Sequence, residues 1–112
     1  MWLWDLIKGL WGKIRNLFRR IVRGALNFFR DIIGWFQKFR FEQGNDIPFV
    51  IDAHSNQFKQ LLKEAPTKNA GIFNGNYNQE DDEITHSEFV EADSLDKQTR
   101  DLLQNEEIVV LS

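Results

Sequence analysis

An apolar pattern recurs every eleven residues over the first 39 positions of the chain. Eleven residues make very nearly three turns of α-helix, so each repeat position returns to the same helix face with a drift of about 20°. The pattern therefore predicts one long amphipathic α-helix over residues 1–40, with its apolar side chains in a single broad stripe. The residues that we expect to contact a membrane or a partner are Trp2, Trp4, Leu6, Ile7, Leu10, Trp11, Ile14, Leu17, Phe18, Ile21, Val22, Phe28, Phe29, Ile32, Ile33, Trp35 and Phe36.

The polar face of this predicted helix is almost entirely cationic, with Asp5 and Asp31 as its acidic residues. A helix that packs only within its own domain usually mixes charge signs. Indole rings suit a lipid–water interface, and Trp2, Trp4 and Trp35 map to the margins of the stripe. These features favour a helix in the plane of an anionic membrane surface. The residues predicted to contact headgroups or other anions are Lys8, Lys13, Arg15, Arg19, Arg20, Arg23 and Arg30.

The segment is not predicted to span a bilayer. A charge or a glycine interrupts it every two to five positions, whereas a span needs about 20 mostly apolar residues in a row. Its basic and apolar residues are interleaved, unlike the separate blocks of a secretory signal. We therefore expect peripheral attachment to a membrane, from the cytoplasmic side.

At the level of periodicity, the segment resembles the lipid-binding 11-residue repeats of exchangeable apolipoproteins and synucleins. It is also similar to cationic membrane-lytic peptides and leaderless bacteriocins. The resemblance covers the first third of the chain and implies lipid binding by that part. The apolipoprotein repeats carry many acidic residues on the polar face, and this segment does not.

Charge divides the chain into two unlike halves. Residues 1–40 hold nine Lys or Arg and two Asp, a formal charge of +7, whereas residues 41–112 hold five Lys or Arg and fifteen Asp or Glu, a charge of −10. Such asymmetry indicates that one half meets a charged partner. We predict a cationic helix over residues 1–40, a linker over 41–46 and a small acidic α+β domain over 47–112.

The predicted domain has a β-α-β-β-α-β order. Four segments suit strands. They are the short apolar runs 47–51 and 108–111 and the longer segments 70–78 and 83–91. Ser55 and Ser94 are plausible caps for helices over 57–64 and 95–103. The order matches the split βαβ, ferredoxin-like plan, and a looser α+β arrangement with four strands is the alternative.

No residue pattern indicates catalysis, a cofactor or a metal. The chain has no Cys, and the usual phosphate-binding and metal-binding motifs do not occur. Asp52, His54 and His86 are potential neighbours in an acid–base or metal site, but exposed or hydrogen-bonded histidines are the favoured interpretation. The acidic turn 80–83 reads as a solvated hairpin tip. With Glu88, Glu91 and Asp93, it is a candidate contact for the cationic segment.

The sequence thus favours a non-enzymatic peripheral membrane protein, anchored by the cationic helix and carrying an acidic recruiting or assembly domain. One alternative is a structural subunit whose apolar stripe packs against copies of itself, giving a homo-oligomer, or against another protein partner. A further alternative is a membrane-permeabilising toxin restrained by its acidic domain. The sequence does not favour nucleic-acid binding, because the net charge is −3 and the face opposite the cations is purely apolar.

Overall fold

Short helices and seven strands make up the computed structural model, which describes residues 2–14, 18–62, 68–104 and 106–111. The α-helices are α1 (Trp2–Leu10), α2 (Gly34–Phe36), α3 (Asn56–Leu62) and α4 (Lys97–Leu103), with a 3₁₀ helix (Trp11–Lys13) after α1 and a π-helix (Phe28–Ile33) before α2. The strands are β1 (Phe18–Ile21), β2 (Ala25–Leu26), β3 (Asp46–Asp52), β4 (Ala70–Asn78), β5 (Glu83–Ala92), β6 (Ser94–Leu95) and β7 (Ile108–Val110). The fold is a compact α+β arrangement around a mixed sheet.

The prediction of one helix over residues 1–40 is wrong for this structure. Helix α1 ends at Leu10, and the chain is extended at Ile14 and again in β1 and β2. Gly9 and Gly12 each weaken a helix by about 1 kcal/mol, and Gly24 has a φ of +78°, which no right-handed helix contains. Pairing of β1 with β5 supplies backbone hydrogen bonds that an isolated helix would otherwise provide. Tertiary contacts therefore override the helical repeat.

The five-stranded sheet has the order β1-β5-β4-β3-β7, and β2 pairs with β6 in a separate two-stranded sheet. β1 runs parallel to β5, and the other three neighbouring pairs of the large sheet are antiparallel. The predicted strands at 47–51, 70–78, 83–91 and 108–111 all occur, with ends shifted by no more than one residue. The predicted helices occur as α3 and as the shorter α4, and Asp96 caps α4 in place of Ser94. Residues 63 and 64 of the first predicted helix lie outside the described residues.

The ferredoxin-like plan is wrong in its strand arrangement. A split βαβ unit keeps its two strands parallel and separated by another strand, whereas β3 and β4 are direct antiparallel neighbours. Pairing of β3 with β4, from Asp46 with Asn78 to Asp52 with Ile72, takes the place that another strand would hold beside β3 in that plan.

Helices cover both faces of the sheet, giving three layers. On the first face, α1 and α3 pack against sheet residues; this core contains Leu3, Trp4, Ile7, Leu10, Phe49, Ile51, Phe58, Phe73 and Phe89. On the second face, the π-helix, α2 and α4 pack against sheet residues. The core on this face contains Leu26, Ile32, Trp35, Phe36, Val50, Ile72, Val90 and Leu103. Residues 2–36 thus contribute to the core on both faces, in the same fold as the acidic two-thirds of the chain.

Because α1 is part of the core, truncating its buried face should destabilise the whole fold. Ile7 is 1% exposed, and we expect Ile7→Ala to lower the free energy of unfolding by about 2–5 kcal/mol in urea denaturation. The neighbouring Lys8 is exposed, so Lys8→Ala is the matched control and should change it by less than about 0.5 kcal/mol. Equal stabilities of the two variants would show that α1 does not pack on the sheet.

Candidate functional site

Large apolar side chains are exposed together with arginines beside β1, the strand at one end of the sheet. Phe18 and Ile21 of β1 are 68% and 55% exposed, and Phe29 of the π-helix is 59% exposed. Arg19, Arg23 and Arg30 are exposed as well. We call Phe18, Arg19, Ile21, Arg23, Phe29 and Arg30 the cationic edge.

A turn and a helix cap connect β1 to the π-helix. Gly24 turns the chain in a conformation that favours glycine, and its N–H donates to Asp93 Oδ2 at 3.0 Å. β2 then pairs with β6, and Asn27 caps the π-helix by accepting a hydrogen bond from the Arg30 N–H at 2.8 Å. The turn and the cap together bring the π-helix back toward β1, where Arg20 of β1 and Arg30 of the π-helix bind the same Asp31 carboxylate.

A fully buried carboxylate, that of Asp31, joins the two parts of the cationic edge. It accepts hydrogen bonds from Arg20 Nη1 and Arg30 Nη2, both at 2.9 Å, and from the Asn27 N–H at 2.8 Å. Arg20 Nη2 also lies 3.1 Å from Glu88 Oε1 on β5. The cluster therefore links β1, the π-helix and the central sheet.

The environment of Asp31 stabilises its charged form. Burial by itself raises the pKa of this carboxyl, but hydrogen bonds from Arg30, the Asn27 N–H and Arg20 outweigh burial, and the pKa is lowered from its ordinary value. Burial by itself lowers the pKa of the Arg20 guanidinium, because it too disfavours the charged form. Hydrogen bonds to Glu88 and Asp31 outweigh burial and raise this pKa. Both groups stay ionised at neutral pH.

Arg19 is held on the first face of the sheet. Its Nε lies 3.5 Å from a carboxylate oxygen of Glu91, which is fully buried, and its guanidinium carbon lies 4.9 Å from the centre of the Phe89 ring. Glu88 and Glu91, two of the carboxylates that the sequence suggested as contacts for the cationic segment, therefore do contact it, as residues of the neighbouring strand. Within the described ranges, exposed Arg23 makes no ion pair.

The predicted apolar stripe is divided between core and surface. Its buried members are Trp4, Ile7, Leu10, Ile32, Trp35 and Phe36, and its half-buried members are Leu6, Trp11, Ile14, Val22, Phe28 and Ile33. Phe18, Ile21 and Phe29 are exposed. Leu17 lies outside the described residues, and the side chain of Trp2 does too. Three of the predicted contact residues thus stay exposed, two on the edge strand β1 and one on the π-helix, and many of the others form the core.

The predicted anion contacts are mostly at the surface. Lys8, Lys13, Arg19, Arg23 and Arg30 are exposed, and Arg20 is half-buried in the Asp31 cluster. Arg15 lies outside the described residues. Sequence reasoning missed the cluster because Arg20, Asp31 and Glu88 are far apart along the chain, although an isolated Asp in a cationic apolar segment was a signal for it.

The two histidines do not form a joint site with Asp52. Asp52 Oδ1 accepts the backbone N–H of His54 at 2.9 Å, beyond the end of β3. His86 stacks on Phe39 with ring centres 4.0 Å apart, and it is level with Pro48 near the other end of that strand. In the part of the chain that the structure describes, no group of three or more His, Asp or Glu residues is arranged to hold a metal ion.

Open clefts lie at both ends of the described sheet. One, of about 690 Å³, lies beside β7 and is lined mainly by apolar side chains, including Ile33, Phe36, Phe41, Pro48 and Leu111. The other, of about 960 Å³, lies where β5 extends beyond β1 and has a mixed lining that includes Lys13, Phe18, Trp35 and Phe39. Phe18 therefore belongs to the cationic edge and also lines the second cleft.

Comparisons of the chain with protein-family models, curated proteins and solved structures found no match. Among the described helices, none has the length and apolar character needed to cross a bilayer.

Removing the Asp31 charge should destabilise the fold in a pH-dependent way. We expect Asp31→Asn to lower the free energy of unfolding by about 1.5–3 kcal/mol at pH 7, because hydrogen bonds to charged groups are lost. The folded-state pKa of Asp31 is lowered, so its contribution is present above the unfolded pKa of about 3.9 and is lost as the pH falls through the folded value. The difference between wild type and variant should therefore shrink below about pH 4 in urea denaturation.

Asp101 provides the matched control for this experiment. It pairs with Lys97 one helical turn away, but both side chains are exposed, so Asp101→Asn should cost less than about 0.5 kcal/mol. A pH-independent difference for Asp31→Asn would argue against an ionised Asp31 in the folded protein.

Proposed function

We propose that this protein is a non-enzymatic peripheral membrane protein that binds anionic lipid surfaces through its cationic edge. The observation that carries the proposal is the placement of Phe18, Ile21 and Phe29, which are exposed and interleaved with exposed arginines. The acidic remainder of the chain would face the aqueous side as a recruiting or assembly module. The cytoplasmic leaflet, which carries anionic lipids, is the proposed target.

The chemistry of the cationic edge supports interfacial binding. Phenylalanine and isoleucine side chains gain free energy on leaving water, and Phe18, Ile21 and Phe29 are more than half exposed. Arginines beside them keep their charge at the depth of lipid headgroups while their stems contact apolar surface. Each cation near an anionic leaflet contributes about 1 kcal/mol. Three apolar anchors with adjacent cations thus combine the two interactions that hold a protein at a membrane surface.

Electrostatics within the fold also support this role. Asp31 and Glu88 hold the guanidinium of Arg20 from the core side, so the β1–π-helix junction is rigidly placed before any lipid arrives. Arg23 is exposed and makes no ion pair with a described residue, so its full charge is available to a phosphate. Binding by the folded protein would then need little rearrangement.

The continuous helix that the 11-residue repeat predicts is proposed as a second, lipid-dependent state. Forming it would remove Trp4, Ile7, Leu10 and Trp35 from the core, at roughly 1.5–3 kcal/mol for each large side chain. That cost is comparable to the whole stability of a small domain, about 5–15 kcal/mol. Burial of the same side chains in the bilayer would offset this free-energy cost. A gain in helical circular dichroism on vesicle binding distinguishes this state from binding of the intact fold.

Substitution of an exposed anchor tests the proposal directly. We expect the full-length protein to float with vesicles of phosphatidylcholine and phosphatidylserine, and much less with phosphatidylcholine alone. Phe29→Glu should weaken its partitioning about tenfold or more, because it removes apolar contact and adds a charge that the leaflet repels. Arg23→Glu should weaken binding to the anionic vesicles selectively, and more so at low salt.

Val110→Glu is the matched control, since Val110 is 47% exposed on β7 at the opposite end of the sheet. It introduces the same charge without touching the cationic edge and should leave flotation unchanged. If the wild-type protein stays in solution with both vesicle types, or if Phe29→Glu floats like wild type, membrane binding through this edge is excluded.

A further inference from the structure

The cleft of about 690 Å³ beside β7 combines apolar side chains with acidic ones. It borders the terminal strand at the end of the sheet opposite β1, so it is separate from the cationic edge. We propose that this cleft binds an organic cation of the ammonium type that carries an apolar chain. Such binding is a function beyond membrane attachment and does not depend on it.

Apolar side chains line most of the cleft. Val110 and Leu111 border it at the end of β7, and Ile33 and Phe36 border it from the helices on the second face of the sheet. Val110 is exposed and Leu111 is half-buried. Surface of this kind gains free energy when an aliphatic chain displaces water from it. The volume of the cleft lies within the ordinary range of small-molecule sites, about 300–1,000 Å³.

The turn that leads into β3 supplies negative charge to the cleft. Glu42 and Asp46 both line it, and no Lys, Arg or His is among its described lining residues. Lys38 and Arg40, the cations closest to this turn along the chain, are exposed and lie outside the lining. The described lining therefore favours a cation over a neutral or an anionic ligand of the same shape.

The carboxylate of Asp46 is fixed by hydrogen bonds that leave its charge intact. Its Oδ2 accepts the Glu42 N–H at 2.7 Å, and its Oδ1 accepts the side-chain amides of Asn76 and Asn78 at 3.0 and 3.1 Å. The bonds from Glu42 and Asn76 lower the pKa of Asp46, so this carboxyl is ionised at neutral pH. Because these three donors are neutral groups, they do not cancel its charge. A quaternary ammonium group, which needs charge but donates no hydrogen bond, matches this carboxylate.

Two aromatic rings border the same cleft. Phe36 and Phe41 have ring centres 6.0 Å apart with their planes inclined at 55°, and Phe41 directly precedes Glu42 in the chain. The faces of such rings attract ammonium groups, and proteins commonly hold quaternary ammonium ligands by this contact. Aromatic rings beside carboxylates, on an otherwise apolar surface, therefore suit an ammonium head with an apolar tail.

Free cations and lipid headgroups share this chemistry, and the charges favour the free cation. In phosphatidylcholine a phosphate separates the ammonium group from the acyl chains. A headgroup in the cleft would place that phosphate near Glu42 and Asp46, which repel it. An alkylammonium ion carries its chain directly on the nitrogen and avoids this repulsion. We therefore expect a soluble ligand that enters from the aqueous side.

Three probes with the same hexyl chain test the assignment: hexyltrimethylammonium, 1-hexanol and hexanoate. Their binding to the full-length protein is measured by NMR chemical-shift titration, with the amides of Val110 and Leu111 as reporters of the cleft. We expect the cation to bind at least about fivefold more tightly than the alcohol, and hexanoate to bind most weakly. Tetramethylammonium, which lacks the chain, should bind at least about tenfold more weakly than hexyltrimethylammonium.

Glu42→Gln is the informative variant, because Glu42 is exposed and the change keeps the shape of the side chain. It should weaken binding of hexyltrimethylammonium about twofold to fivefold and leave binding of 1-hexanol unchanged. Glu106→Gln is the matched control, since Glu106 is also exposed but precedes β7, about 17 Å along the chain from Leu111, and does not line the cleft. Phe41→Leu should lower the ratio of cation affinity to alcohol affinity, and circular dichroism verifies that this variant is folded.

Equal affinities for the three hexyl probes, or no binding of hexyltrimethylammonium by the folded wild type, would overturn the proposal. Equal effects of Glu42→Gln and Glu106→Gln would overturn it as well. Flotation with vesicles of phosphatidylcholine alone, weakened by Glu42→Gln, would assign the cleft to a lipid headgroup and overturn the free cation. Membrane binding through the cationic edge is read separately: Phe29→Glu should bind hexyltrimethylammonium like wild type while failing to float, and Glu42→Gln should float with anionic vesicles.

Discussion

The ionised carboxylate of Asp31 is the group on which the arrangement of the N-terminal segment depends. It is buried completely, yet it receives charged hydrogen bonds from Arg20 on β1 and from Arg30 on the π-helix. Its own backbone carbonyl accepts a hydrogen bond from Asn74 in the centre of the sheet, at 3.0 Å. Because an isolated buried charge is very costly, these donors must stay in place for the fold to persist. One residue thereby couples strand, helix and sheet.

Around this cluster, the first 36 residues supply apolar side chains to both faces of the sheet. Trp4 and Ile7 pack with Phe58 on the first face, and Trp35 and Ile32 pack with Val90 on the second. A single straight helix has one apolar stripe and can cover one face only. Breaking the segment into α1, β1 and the π-helix lets the same residues bury themselves on both faces. The apolar repeat that suits a helix on a surface therefore also suits a divided segment around a sheet.

The large apolar side chains that stay exposed lie mainly on the two terminal strands of the sheet. Edge strands present unpaired backbone groups, and many proteins protect them with charge. β1 combines arginines with Phe18 and Ile21, whereas β7 combines Val110 with nearby glutamates. The opposite charges of the two chain halves thus become opposite charges of the two sheet edges.

The sequence by itself determined the strands and helices of the acidic part, the charge asymmetry, and the apolar residues of the first 36 positions, because local periodicity, capping and composition specify them. The strand order, the end of α1 at Leu10 and the exposure of Phe18 and Phe29 were decided by tertiary structure. For residues 18–26 the local sequence is compatible with a helix as well as with strands, and pairing with β5 and burial of Asp31 favour the strands. Those contacts join residues far apart in the chain, which a local pattern does not encode.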